Sequence, residues 1–433
     1  MGSVTAHTRP PTDFEAHHVL VRTIQCIHGQ AQIELLCEPM FDYGRVPATW
    51  AAVENDPYAL DATDGTRTLR LMSDLNMGVE GGMVRARHRL EKGETRFCAL
   101  SWSRMLDGPR TADQATQALQ STSEYWRGWI ADGKFPDHRW RGHLERSALT
   151  LKGLTYAPTG ALVAAPTTSL PETPGGTRNW DYRFTWMRDA TFTLSGLHSL
   201  GLNWEADDFI QFVADLGRSE DGALQIMYGI GGEQVLEEQT LEHLTGYEGA
   251  KPVRIGNDAY HQRQNDVFGA VLDSLWLHAK EYGHNSARLW PVIHDQVEQA
   301  IASWKLPDQG IWEARSEPKH YVSSKLMCWV ALDRGARLAA RRGKEDLADR
   351  WRLVANEIHA EICARGVDER GVFTQAYECD ALDASCLLIP MVRFLPHDDP
   401  RVRATVLAIA DELTENGLVL RYRVAETDDG LHG

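Results

Sequence analysis

Arg178-Asn179-Trp180-Asp181-Tyr182-Arg183-Phe184-Thr185-Trp186-Met187-Arg188-Asp189 crowds aromatic and charged residues into a loop and then runs directly into a helix-patterned segment, 187–200. The same arrangement recurs downstream. Apolar residues at three- and four-residue spacing predict helices over 114–131, 140–156, 187–200, 204–218, 267–282, 286–304, 322–340, 347–365, 382–394 and 401–414. Short turns alternate with long loops rich in Gly, Pro, Trp and acids, so successive helices pair as hairpins and the long loops gather on one face. No fixed-period repeat marks a solenoid. Hairpins closed into a ring satisfy both observations.

Upstream of about residue 111 the pattern changes. The runs 18–24, 31–36, 83–87 and 96–100 alternate or are rich in β-formers, with turns at His28-Gly29-Gln30 and Lys92-Gly93-Glu94. The expected fold is mainly α with an N-terminal β part. Residues 1–112 are expected to form a partial antiparallel β-sandwich, and residues 113–433 an (α/α)6 toroid, incomplete at about ten helices.

The 433 residues are 43% hydrophobic and include 14 Trp, enough for a large core in at least two domains. The formal net charge is −16, with Lys and Arg scattered among acids. Nucleic acid is therefore not expected as a partner, because a phosphate backbone needs concentrated positive charge. No stretch reaches the roughly 18 apolar residues of a spanning helix, and the first 15 residues, with Pro10 and Pro11, lack the apolar run of a secretory signal. A cytoplasmic protein with no membrane partner is expected. Seven cysteines (Cys26, Cys37, Cys98, Cys328, Cys363, Cys379 and Cys386) form no C-x-x-C pair and read as buried free thiols. His243, His261 and His320 show no paired metal spacing. Asp207-Asp208 reads as part of a solvated helix face.

Three loops can carry chemistry. A sugar presents flat C–H faces ringed by hydroxyls, so its site needs aromatic platforms beside charged groups. The 178–189 segment supplies both: Tyr182 and Trp186 to pack on a ring, Arg188 and Asp189 to hold hydroxyls through charge-assisted bonds. A capped helix start with a local ion pair has the same composition. In the second loop, 231–266, the Gly231-Gly232 pair lacks the rest of a phosphate-binding loop. Gln264 and Asp266 there are candidate ligand contacts, and equally candidate helix caps. In the third, Asp308-Gln309-Gly310-Ile311-Trp312-Glu313-Ala314-Arg315, the apolar neighbours Ile311 and Trp312 can desolvate Glu313 and raise its pKa, as a general acid requires. Arg315 can bind a leaving group, or simply pair with a glutamate.

The strings RNWDYRFTWMRDA (178–190), GGEQVLEEQTLEHLTGYEGAKPVRIGNDAYHQRQNDVFG (231–269), GIWEARSEPKHYVSSKLMCWVALDR (310–334) and FTQAYECDALDASCLLIP (373–390) closely resemble, in order, glycoside hydrolase family 15. That family holds glucoamylases, glucodextranases and a bacterial trehalase-like branch, to which the likeness is strongest. FDYGRV (41–46) resembles the end of the β-sandwich preceding the toroid in bacterial members. The resemblance implies inverting hydrolysis of terminal α-linked glucose, from trehalose or malto-oligosaccharides. By motif position it implies Glu313 as general acid, Arg188 and Asp189 as anchors of the non-reducing glucose, Tyr182 and Trp186 as its walls, Trp312 as flank of the acid, and Arg421 as a contact to the leaving sugar. Inversion requires a second carboxylate about 6.5–9.5 Å from the first. In the family this base is a glutamate in a segment that would follow Gly433, so the chain is expected to be part of a longer enzyme, shortened also ahead of Val19. Acid–base hydrolysis needs no cofactor; phosphate or magnesium as activator is implied by analogy alone. An inverting phosphorylase and a non-catalytic sugar-binding remnant are the competing functions, and oligomeric state is not readable.

Overall fold

The computed structural model describes residues 18–102, 107–216, 223–283, 287–424 and 427. The predicted ends of the helices at 217–218 and 286, the close of the β part at 103–106, and the tail 429–433 lie outside the described residues. The chain divides into two compact units, meeting in sequence between Gly133 and Lys134.

The first unit is built of antiparallel strands. β1 (Val19–Gln25), β2 (Gln30–Cys37), β3 (Met40–Phe41), β4 (Val46–Pro47), β5 (Thr49–Val53), β6 (Asp56–Thr63), β7 (Thr68–Ser73), β8 (Gly78–Glu80), β9 (Met83–Glu91) and β10 (Thr95–Ser101) follow one another. A five-stranded sheet has the order β1-β10-β7-β6-β5 and a three-stranded sheet the order β2-β9-β8. The two share a corner: β1 and β10 pair as far as Gln25 with Thr95, and β2 and β9 resume at Gln30 with Glu91. Between them Cys26 N–H donates to Glu94 O at 3.0 Å and Gly93 N–H to Cys26 O at 2.7 Å. The sequence pattern reveals β1, β2, β9 and β10 but not β5 to β7. β5 and β6 pack with small residues such as Ala59 and Ala62 and lack the large apolar alternation that marks a strand, while β7 offers only the short alternation Leu69-Arg70-Leu71, with Arg70 paired to Asp61 across the strands. Helix α1 (Ala112–Ala131), capped by the Thr111 hydroxyl, packs on β1 and β10 through Ala115.

The second unit is helical: α2 (Arg141–Gly153), α3 (Met187–Ser199), α4 (Trp204–Asp215), α5 (Asp266–Tyr282), α6 (Trp290–Ser303), α7 (Val322–Arg341), α8 (Glu345–Arg365), α9 (Leu388–Met391) and α10 (Pro400–Glu412). Helices α3, α5 and α7 contact in series, and α5 and α7 bury most of their residues all round, as inner helices must. Gly269 lets α5 approach α7 closely, since a Cβ there would lie 2.2 Å from Met327 O. Outer helix α8 instead buries one stripe, Ala348, Trp351, Ala355, Ile358 and Ile362. These hairpins of inner and outer helices are those of an (α/α)6 toroid, and the loops entering α3, α5 and α7 carry the three candidate segments.

Two expectations change. The predicted 382–394 helix is a 3-10 turn, Ala384–Leu387, followed by the single turn α9. Pro390 lacks an N–H and fits only a first helical turn, and Arg393 at φ +62° ends it. Asp207 and Asp208 do not form a solvated face. Asp207 meets His278 and Tyr282 of α5, at 3.3 and 3.0 Å, and Asp208 is buried. All seven cysteines are free, with Cys26, Cys328 and Cys386 buried and the others partly so. No described helix is long and apolar enough to cross a membrane.

Candidate active site

The segment before α3 folds back on the protein through Thr185–Trp186, which pairs antiparallel with Met227–Tyr228. This fixes Trp186 at the helix N-cap and Arg188 in the first turn, directed inward. The loop before α5 ends in Gln264, Asn265 and Asp266, all buried. The loop before α7 is closed by a two-way backbone bridge between Asp308 and Lys319. Inside it Gly310 takes φ +71°, where a Cβ would stand 2.7 Å from the Tyr321 ring, and Glu313 itself sits at φ +60°. A left-handed glutamate is strained, and such strain concentrates at sites where one side chain must be aimed.

These loops meet at Arg188. Its Nη1 donates to Gln264 Oε1 at 3.1 Å and to Asp266 Oδ2 at 3.0 Å, and its Nη2 to Glu313 Oε1 at 3.2 Å. Asp189 Oδ2 is 3.6 Å from Nε of the same guanidinium. Trp186 Nε1–H donates to Glu313 Oε1 at 2.6 Å. Trp186, Arg188, Asp189, Gln264, Asp266 and Glu313, drawn from three segments of sequence, are thus brought together. The Tyr182 ring lies 6.1 Å from that of Trp186 and extends the aromatic wall.

Burial pushes the Glu313 carboxyl above its ordinary pKa and Asp189 adds to the effect, while Arg188 and the Trp186 N–H act against it. Asp189 is also raised, first by burial and then by Asp266, against the pull of Arg188. For Arg188, burial alone would favour deprotonation, but Asp266, Asp189 and Glu313 outweigh it and hold the proton more firmly than usual. The cluster therefore combines a fixed cation with a carboxyl biased toward its protonated form.

Trp312 does not cover Glu313 with its polar edge. Its Nε1 donates to both oxygens of buried Asp383, at 3.0 Å each, and Asp383 also accepts from Ser385 N at 2.8 Å and Gln375 Nε2 at 3.1 Å. The guanidinium of Arg421 lies over the Trp312 ring at 5.6 Å and pairs with Glu172 at 2.7 Å. Glu172 also accepts from the Tyr182 hydroxyl at 3.3 Å. Arg315 turns to Glu238 at 3.0 Å, with its guanidinium over Trp180 at 4.5 Å. Arg315 and Arg421 are thus held in ion pairs beside the cluster instead of within it. The sequence assigns no role to Glu172, Glu238, Trp180, Gln262 or Asp383; their partners lie far off in the chain, and no local spacing announces them. Gln262 donates through Nε2 to Ala314 O at 3.2 Å, and its Oε1 accepts from Gln264 Nε2 at 2.9 Å, tying the second loop to the third. Among the described residues no group of three or more His, Cys, Asp or Glu side chains is placed to hold a metal ion.

Residues 139–433 match the family model described as Glycosyl hydrolases family 15. The chain belongs to that family. A trehalase of Mycolicibacterium smegmatis is 58% identical over 435 residues, covering 99% of this chain and 65% of the relative. A trehalase of Mycobacterium tuberculosis is 57% identical over 435 residues, covering 99% of this chain and 64% of its own. The chain thus spans about two-thirds of the length of these curated relatives, 64–65%. A bacterial glucoamylase solved in complex with acarbose superposes with a TM-score of 0.59 at 12% identity, over 82% of this chain and 57% of that one. At that identity the likeness is one of fold, and it agrees with a family 15 toroid. Glu313, Arg188 and Asp189 all fall within the stretch that the family model matches.

Proposed function

We propose that this family 15 chain carries the glucose-gripping part of an inverting hydrolase of terminal α-linked glucose, with trehalose as substrate, malto-oligosaccharides as the competing one, and Glu313 as general acid. One observation carries this: a carboxyl with raised pKa is held by Trp186 Nε1 at 2.6 Å, beside an arginine that also grips Gln264 and Asp266. Arg188 and Asp189 anchor the hydroxyls of the terminal glucose, Tyr182 and Trp186 wall its ring, and Glu313 protonates the glycosidic oxygen as the bond breaks. The trehalases at 57–58% identity support trehalose over maltodextrins. Inversion also takes a base about 6.5–9.5 Å from the acid to activate water on the far face; that base is not among the residues assigned here.

The test is glucose release from trehalose and from maltose by the protein expressed at the full length its gene encodes. Glu313→Gln keeps the shape but has no proton of suitable acidity, and a general acid contributes about 10²–10⁴-fold. A kcat lowered by that factor is expected, and the unmodified protein should release one β-glucose from the attacked unit and one α-glucose as leaving group per trehalose. Release unaffected by Glu313→Gln sinks the assignment of the acid. Glucose 1-phosphate formed only in the presence of phosphate replaces the hydrolase with a phosphorylase, and saturable sugar binding without turnover leaves a binding protein.

A further inference from the structure

Beside the acid loop lies a second charged cluster. The guanidinium groups of Arg254 and Arg315 both lie over the indole of Trp180, at 4.6 and 4.5 Å. One carboxylate serves both: Glu238 Oε1 is 3.0 Å from Arg254 Nε, and Glu238 Oε2 is 3.0 Å from Arg315 Nη2. The two arginines differ in freedom. Arg254 is also fastened to the backbone carbonyls of Thr177 and Asn179, at 2.9 and 3.3 Å, and its side chain is 14% exposed. Arg315 is 28% exposed, and Glu238 takes only one of a guanidinium's five N–H donors. Burial lowers the pKa of Arg254 and the charge of Arg315 lowers it further, with Glu238 opposing both, so the carboxylate is what lets two cations share one ring.

The position of this cluster gives it meaning. Trp180 lies two residues before the wall residue Tyr182, and Arg315 two residues after Glu313. Arg315 also lines a polar cavity of ≈ 240 Å³ with Asp258, Gln262, Gln309, Ala314 and Ser316. That is below the ~300–1,000 Å³ of pockets for drug-sized ligands. Gln309 Oε1 and Ser316 Oγ are buried without a hydrogen-bond partner among the described residues. Buried polar atoms of that kind call for a hydroxylated occupant or ordered water. Glu238 is tied to the same wall, its N–H donating to Asp258 Oδ1 at 3.3 Å.

We propose that Glu238 is a positioning residue for the leaving-group sugar: by holding Arg315 on Trp180 against the fixed Arg254, it sets how strongly the protein discriminates between leaving groups. This rests on the hydrolase function proposed above. Arg315 then offers its remaining N–H groups to hydroxyls of the departing glucose, while the terminal glucose is held independently at Arg188. Loss of Glu238 releases Arg315 without touching the grip on the terminal unit.

α-Glucosyl fluoride separates the two sides, since it presents the same terminal glucose with no leaving sugar. The measurement is kcat/KM for trehalose and for α-glucosyl fluoride in the gene-length protein and in Glu238→Gln, Arg315→Met and the double variant. The expected result is a fall of at least tenfold in the trehalose-to-fluoride ratio for each single variant. The double variant should be no worse than Arg315→Met alone, because Glu238 acts through Arg315. Equal losses on both substrates, or additive losses in the double variant, overturn the proposal while leaving the hydrolase standing. No turnover of either substrate by the unmodified protein overturns both.

Discussion

Replacing Trp186 by Phe tests whether Glu313 is the titrating acid. The substitution keeps an aromatic ring in the wall but removes the N–H that donates to Glu313 Oε1 at 2.6 Å. That bond favours the carboxylate, so its loss must move the Glu313 pKa further up from its already raised position. A hydrogen bond to a charged group is worth roughly 1.5–3 kcal/mol, equivalent to about 1–2 pKa units at 1.36 kcal/mol per unit. Arg188 still contacts the same oxygen at 3.2 Å, and the side chain is 22% exposed, so water replaces part of the lost bond. The expected shift is therefore near the lower end, about one unit. A general acid works only while protonated, so the limb of the pH profile of kcat/KM that falls with rising pH should move about one unit toward alkaline pH. The assay is trehalose hydrolysis across pH 4 to 9, roughly the span in which such limbs fall. A limb that stays in place, or moves to acid pH, refutes Glu313 as the group whose proton is lost.

Three further substitutions, at two positions, probe what holds the acid loop. Asp308, whose Oδ2 accepts the Asn265 N–H at 2.7 Å, is pushed up to about 7, first by burial and then by Asp266, against the Asn265 N–H, Ser324 and Lys325. Its folded pKa lies above the unfolded one, so the native state binds more protons in between and stability falls as pH rises through about 4 to 7. Asp308→Asn keeps an acceptor and removes the charge; the melting temperature of the variant minus that of the parent should be more positive at pH 8 than at pH 5, and a difference that does not change with pH refutes the burial cost. At Glu313, φ +60° penalises any residue with a Cβ by about 1–2 kcal/mol. Glu313→Gly and Glu313→Ala both lose the carboxylate, so the glycine variant should be the more stable of the two by about 1 kcal/mol in urea unfolding; equal stability refutes strain at the acid.

What the sequence discloses depends on how far apart the interacting residues are. Helices α3, α5, α7 and α8 are legible because their apolar residues repeat within a few positions, and the aromatic-charged string before α3 is legible because it is contiguous. The 382–394 segment is misread because Pro390 and the left-handed Arg393 cut an otherwise helical pattern to a single turn. Strands β5 and β6 escape because alanines occupy positions where large apolar residues would have marked them, and β7 because its alternation, Leu69-Arg70-Leu71, is short. Within the site, Trp186, Arg188, Asp189, Gln264, Asp266 and Glu313 converge, while Arg315 and Arg421 stand beside them in ion pairs. Their partners do not follow from local spacing: Trp186 meets Glu313 across 127 residues, and Arg421 meets Glu172 across 249.

Glu313 is raised by burial, as its sequence neighbours suggest, but its surroundings are not the apolar pocket they imply. Ile311 and Trp312 point to an apolar pocket around a single carboxyl, but the Trp312 N–H turns to Asp383, and what adjoins Glu313 is a polar cluster. Asp189, Asp266 and Glu313 surround the one guanidinium of Arg188. Burial raises the pKa of Glu313, and that of the half-exposed Asp189 is raised as well, while Asp266 meets Arg188 at 3.0 Å. The proton needed for leaving-group departure is thus held first by burial and then by the charge of Asp189, against Arg188 and the Trp186 N–H, and a second cation placed there should lower the Glu313 pKa and weaken the acid.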